Sequence, residues 1–545
     1  MVSNISCCGG VGLGYWRTTT AEASVIKRRA LQAPALALRG LLAERPWLVT
    51  SSVSFVVGLG LLFLAPGMIV ATLVEWGSST SHNETALGMG AAATLLAGAG
   101  LVVFTRLEPD MSPATVFATV AWTWVGSSLF GALPFWFSGE FGSFDNALFE
   151  SVSGYTATGS TILSQIEGVG RGVLMWRQII QWYGGMGMVV LAVTILPFLG
   201  VGGLSLISAE TPGPMSSRLA PQVSSTARRL WALYGGFTIA VAVALKLAGL
   251  SLYDATAHAF TTASTGGFSP YNASIGHFNN LAVEVIIIVG MLACGISFTL
   301  HWRAITGSPR AYGESSEFRF YLLAILLTAL VAASLNWLND ISNFVTSLRN
   351  GLFNAVTLGT STGFSNASGS NTSGDFAVWT AGAQSLLLPL MVMGGMTGST
   401  AGGLKVLRAQ VMAKYMRVGL LRVKHPHVVA RVKLGSRALS ESVLQRVAGL
   451  VALYAFTAFA GTLVLSMLGQ DLITSSSGTI SALGNMGPAL GEAGPTSNFL
   501  VFTRPSRVVL MLLMLIGRLE FFAILLVVIA AYERVRRTAR VKFRH

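Results

Sequence analysis

Apolar runs longer than about 20 residues leave a chain few choices, because backbone in hydrocarbon must satisfy its own N–H and C=O groups. Residues 47–75 hold no charge before Glu75, and residues 85–105 hold none at all. The chain of 545 residues is 52% hydrophobic and only 11% charged, where a soluble domain carries about 25%. Long unbroken runs without alternation exclude a β-barrel. The sequence describes an all-α polytopic membrane protein.

Between later apolar runs lie short stretches too polar to span a bilayer. The clearest is FESVSGYTATGSTIL, Phe149 to Leu163, centred on Thr156, Ala157, Thr158 and Gly159. Three related turns follow at intervals of about 100 residues, a period that fits duplicated membrane modules. They are aligned here as Ala263-Ser264-Thr265-Gly266, Thr360-Ser361-Thr362-Gly363 and Gly484-Asn485-Met486-Gly487. The pattern predicts four helix–pore-helix–helix units around a central pore, preceded by two extra N-terminal transmembrane helices, about ten spans in all. The paired helices are expected at about 114–137 and 173–200, 229–250 and 279–303, 318–338 and 376–420, and 444–468 and 505–533. The expected division is a tail at 1–46, a two-helix extension at 47–112, and units at 113–227, 228–316, 317–443 and 444–545, the last ending in a basic tail.

The net charge of +14 would suggest nucleic acid in a soluble protein. Here the bases fall on alternate loops, around Arg228, Arg303, Lys414 to Arg437 and Arg534 to Arg544, while Glu140, Asp145, Asp254, Asp340 and Asp471 occupy the opposite side. The positive-inside rule then predicts both termini in the cytoplasm, pore segments entering from outside, and no nucleic-acid partner. Cys7, Cys8 and Cys294 offer no disulfide framework, no cleavable signal peptide is expected, and His258 and His301 are expected to pack rather than bind metal.

Extended Thr/Gly turns suit cation selection. Glycine reaches unusual dihedral angles without bulk, so backbone carbonyls can replace an ion's water shell. The C-terminal ends of the preceding short helices add partial negative charge. No paired catalytic carboxylates or Ser/His pair lies at membrane depth, so no enzyme is expected.

Taken together, the four turns, Trp176-Arg177-Gln178 with Gln181 to Gly187, Ala209 to Pro214, Gly394 to Lys405 and Gly517-Arg518-Leu519-Glu520 resemble the membrane subunits of the Trk/Ktr/HKT superfamily of potassium transporters, closest to the TrkH type. The resemblance covers about residues 47–535. It implies that Gly159, Gly266, Gly363 and Gly487 mark potassium-selective filter positions, with K⁺ as the transported ion and no bound cofactor. It also implies a homodimer in the bacterial inner membrane, in contact with lipid, and a cytosolic RCK-type nucleotide-binding partner of the TrkA kind. A Na⁺/K⁺-permeable or ion-coupled symporter of the same superfamily is the alternative.

Two further features stand at membrane depth. Gly394, Gly395, Gly398, Gly402 and Gly403, with Ser399 and Thr400, interrupt a helix before Lys405. Glycine clusters break helices and permit hinge motion, and the same small residues also allow close helix packing. A phosphate-binding P-loop is excluded because Lys405 follows Leu404 and no strand precedes it. By resemblance this stretch is an intramembrane gating loop. Arg518 sits in an apolar span, where a charge costs about 2.5–3.5 kcal/mol even on lenient scales. It is either functional or structurally paired; the resemblance places it facing the pore beneath the filter.

Overall fold

The computed structural model describes residues 49–78, 82–107, 113–187, 223–435, 437–519 and 521. The expected N-terminal tail, the distal part of the helix expected to 200, the Ala209–Pro214 loop, Glu520 and the basic C-terminal tail lie outside the described residues.

Helices dominate from Thr50 onward. Those used below are α1 Ser52–Trp76, α2 Glu84–Phe104, α3 Pro113–Gly131, α4 Leu133–Phe137, α5 Phe144–Tyr155, α6 Arg171–Trp182, α7 Val223–Leu247, α8 Leu252–Ala263, α9 Leu281–Gly295, α10 Phe298–Ile305, α11 Ser316–Leu338, α12 Phe344–Gly359, α13 Ala381–Met393, α14 Val406–Lys424, α15 Glu441–Met467, α16 Leu472–Gly484 and α17 Arg504–Arg518. Five of the described helices, α1, α2, α7 from Arg228, α11 and α15, are long and apolar enough to cross a membrane. Their exposed faces carry Leu73, Leu96, Leu247, Leu327 and Phe456, as lipid contact requires.

Four short helices, α5, α8, α12 and α16, stop well short of a bilayer's thickness. Local chemistry fixes where most of them start. The side chains of Ser251, Asn343 and Asp471 each accept a backbone N–H in the first turn of α8, α12 and α16, satisfying donors a helix start leaves open. The short helices are linked cyclically: α6 packs on α8, α9 on α12, α13 on α16, and α17 on α5. Two ion pairs follow the same order. Arg349 of α12 grips Glu284 of α9 at 2.5 and 2.8 Å, and Arg507 of α17 lies 3.6 Å from Asp145 of α5.

Three expected helices are shorter or broken. The run expected at 114–137 divides into α3 and α4 around Ala132, with Pro134 at the start of α4. The run expected at 376–420 starts later, at Ala381, after two single-turn 3₁₀ segments, and breaks between Met393 and Val406 where the glycine cluster predicted. The run expected at 279–303 is bent by 99° between α9 and α10. Its cause is tertiary. The amide of Met396 donates to the Gly295 carbonyl at 2.9 Å, and the Phe298 amide donates to the Gly398 carbonyl at 3.0 Å. The glycine-rich segment thus takes over backbone groups that a continuous helix would have paired internally.

Candidate functional site

Each short helix ends in the same kind of turn. After α5 the chain goes left-handed at Ala157 (φ 51°) and again at Gly159 (φ 92°). After α12 the pair is Ser361 (φ 51°) and Gly363 (φ 82°); after α16 it is Asn485 (φ 50°) and Gly487 (φ 100°). The second turn uses Thr265 (φ 53°) and Gly267 (φ 78°). The closing hydrogen bonds agree, since Thr158, Gly266 and Thr362 donate to Ser153, Thr261 and Thr357, each five residues back. The structural counterpart of Gly159 is therefore Gly267, and the alignment on Gly266 is corrected by one residue. In this register Ser264, Thr265, Gly266 and Gly267 form the second turn, and Ala263 belongs to the last turn of α8. A sequence signal existed: Gly-Phe-Ser follows the second turn at Gly267 and the third at Gly363.

The four turns meet. A methyl group on Gly159 would overlap the Gly266 carbonyl, one on Gly267 the Thr362 carbonyl, and one on Gly363 the Met486 carbonyl. One on Gly487 would lie 2.8 Å from the Thr158 carbonyl oxygen, closing the ring. Backbone can approach this closely only where Cβ is absent. Gly159, Gly267, Gly363 and Gly487 all line one cavity of about 240 Å³, whose wall is mostly polar Ser, Thr and Asn side chains and backbone.

Buried side chains hold the turns in place. Glu150 and Arg177 are both fully buried and pair at 2.8 Å. Glu150 also accepts the Ile162 amide at 3.0 Å and the Thr161 hydroxyl at 2.9 Å. Arg177 donates to the Ser269 carbonyl at 3.2 Å and lies 4.2 Å over the Phe268 ring. One ion pair thereby fastens the strands leaving the first and second turns. Gln181 donates to the Gly266 carbonyl at 2.6 Å and accepts the Phe268 amide at 3.1 Å. His258, six residues before Ser264 as Glu150 is before Thr156, spans the Asp254 carbonyl and the Ser269 hydroxyl at 2.8 and 3.1 Å. His301 bridges Tyr312 and the Ala293 carbonyl, each at 2.7 Å. Both histidines pack as expected. Glu150 and Gln181 stood in quoted stretches but were given no role, because their partners Arg177 and Gly266 lie far along the chain, and Gly267 was not among the candidates.

On the helix side of the turns lies Gly394 to Lys405. Its backbone is left-handed at Gly394, Gly398, Gly403 and Lys405. The Thr400 hydroxyl donates to the carbonyls of Ala263 and Cys294 at 3.1 and 3.2 Å, the Gly402 amide donates to the Ser361 hydroxyl at 2.5 Å, and a methyl on Gly402 would overlap the Gly484 carbonyl. The segment thus touches the ends of α8, α12 and α16. The Thr397 amide is held by the Glu317 carboxylate at 2.8 Å, Lys405 donates to the Ala401 carbonyl, and Gly395 and Ser399 pack against one another. Arg518 donates to Thr400 O at 3.0 Å and to Gly184 O and Gly185 O at 2.6 and 2.7 Å. It joins the loop to the π-turn Tyr183–Gly187 that ends α6. These three acceptors are carbonyls, whose negative ends suit a guanidinium.

Comparison with known proteins agrees with this architecture. Residues 89–535 match the family described as TrkH, cation transport protein. The chain is 37% identical over 417 residues to the Trk system potassium uptake protein TrkH of Salmonella typhimurium, covering 76% of this chain and 84% of that one. It is 33% identical over 476 residues to the Trk system potassium uptake protein TrkI of Halomonas elongata, covering 87% and 95%. The crystal structure of the potassium transporter TrkH from Vibrio parahaemolyticus superposes with a TM-score of 0.77 at 32% identity, covering 87% of this chain and 97% of that one. The chain belongs to the TrkH family of cation transport proteins; it is a membrane transporter and not an enzyme.

Proposed function

We propose that the protein is a potassium uptake channel or transporter whose selectivity filter is the ring of four turns. The observation that carries this reading is the closed contact order of Gly159, Gly267, Gly363 and Gly487 around one cavity. Four helix C-termini converge there, and their partial negative charge favours a cation. Carbonyl-lined turns of this kind exchange an ion's hydration shell for backbone oxygens. The relatives' names, Trk system potassium uptake protein, support potassium as the ion.

In this reading the chain is built of four helix–pore-helix–helix units after two leading helices, with about ten spans and both termini in the cytoplasm. It works in the bacterial inner membrane as a homodimer under a cytosolic RCK-type nucleotide-binding subunit of the TrkA kind. Gly394 to Lys405 with Arg518 forms the gate beneath the filter, supported by the loop's hydrogen bonds to α8 and α12 and by its link through Arg518 to α6.

The test is rubidium uptake into liposomes, competed with potassium and with sodium, for wild type and Gly159→Ser. Wild type is expected to take up rubidium with potassium competing and sodium weak. Gly159→Ser is expected to lose that discrimination, because its side chain would meet the Gly266 carbonyl. Sodium competing as well as potassium in wild type would refute the selectivity.

A further inference from the structure

The four glycine carbonyls of the ring are not chemically alike. A carbonyl oxygen has two lone pairs. Among the described residues no hydrogen bond reaches the carbonyls of Gly159, Gly267 or Gly363, and all three residues line the cavity. The Gly487 carbonyl accepts two, from the Ser160 hydroxyl at 3.0 Å and the Ser481 hydroxyl at 2.9 Å. Both serines are buried, at 1% and 0% exposure. Neither device is repeated around the ring. The position of Ser160 is filled by Phe268, Phe364 and Pro488 in the other turns. Ser481 corresponds to Ser153, Thr261 and Thr357; the Thr261 hydroxyl turns back to its own helix at the Ala257 carbonyl.

We propose, on the basis of the transport reading above, that the ion level formed by these carbonyls is three-plus-one. Gly159, Gly267 and Gly363 supply oxygen ligands to the passing cation. The Gly487 carbonyl is withheld by Ser160 and Ser481, and water completes the shell on that side. Ser160 and Ser481 are thus specificity-determining residues that weaken one ion level. Conduction needs such weakness, since an ion bound too well at one level does not leave it.

The experiment measures initial rubidium uptake into liposomes over a range of rubidium concentrations. The variants are Ser160→Ala, Ser481→Ala, the double variant, and Ser481→Thr, each checked as monodisperse protein before reconstitution. Freeing the Gly487 carbonyl adds a fourth ligand, so the apparent KM of the double variant falls by about fivefold, the scale of one added polar interaction. The single alanine variants fall in between, and Ser481→Thr, which restores a hydroxyl donor, returns the KM toward wild type. An unchanged KM in the alanine variants overturns the proposal. So does a KM that rises in Ser160→Ala alone, which would make the Ser160 hydroxyl itself a ligand. If the double variant does not fold, Ser481→Ala decides. Wild-type protein that takes up no rubidium would refute the transport reading itself, a failure distinct from an unshifted KM in an active transporter.

Discussion

The ring of turns and the loop beneath it are both glycine-rich, yet they are held in different ways. The turns are fastened by side chains from elsewhere in the fold, among them the buried Glu150–Arg177 pair, Gln181 and Asn485, whose amide reaches Thr158 Oγ1 at 3.0 Å and Met514 O at 2.9 Å. The loop from Gly394 to Lys405 is held by scattered single bonds: backbone ones such as Met396 to Gly295, side-chain ones through Thr400, Ser361 and Glu317, and one of the three that Arg518 donates. An ion-sized ring must keep its carbonyls within a fraction of an ångström, so its supports are many and buried. A gate needs two arrangements of similar energy, and scattered single hydrogen bonds allow that. If the ring selects and the loop gates, as proposed above, mutations should divide along the same line.

The largest effect is expected at the ring itself, where it also tests the register. Gly267→Ala places a methyl against the Thr362 carbonyl, a backbone atom that cannot step aside, at a left-handed φ that costs about 1–2 kcal/mol for any L side chain. Gly266→Ala meets the end of the Gln181 side chain, 2.5 Å away, which can shift. Discrimination of potassium over sodium in rubidium uptake should therefore be lost in Gly267→Ala and largely kept in Gly266→Ala. The reverse ranking would restore the alignment on Gly266.

Next in size is the brace. Arg177→Leu leaves the Glu150 carboxylate buried without its cation, which typically costs about 3–5 kcal/mol. The unfolding midpoint of the detergent-solubilised protein should drop by several degrees, and sodium should compete better in whatever protein reconstitutes. A midpoint equal to wild type would show that the pair contributes nothing to holding the ring.

How much of this could be read from the sequence follows from how local each signal is. The membrane class and the existence of the four turns rest on runs within single elements, and these were legible. The break between Met393 and Val406 was legible because its cause, the glycine cluster, lies within it. The 99° bend after Gly295 was not, since residues 281–305 contain no proline and the backbone groups that stabilise the bend belong to a loop about 100 residues downstream. The Gly266-Gly267 pair offered two registers, and only the neighbouring turns decide between them. Arg177 stood in a quoted motif, but its carboxylate partner is 27 residues away on another helix.

The smallest expected change concerns the proposed gate, and it is a gain. Arg518 binds one carbonyl of the loop and two of the α6 π-turn, so it stabilises whichever arrangement keeps those carbonyls together. Arg518→Ala removes all three bonds at once. Hydrogen bonds to a charged group contribute about 1.5–3 kcal/mol each net of water, so even a fraction of one bond shifts a two-state loop severalfold. If the described arrangement is the closed one, rubidium uptake should rise severalfold while the ratio of sodium to potassium competition stays at the wild-type value, because the ring is untouched. Changed selectivity would mean that loop and ring are one mechanical unit, and the contrast drawn above would fail. Unchanged uptake with unchanged selectivity would make Arg518 a structural tie alone. Measuring flux and competition on the same liposomes distinguishes all three outcomes.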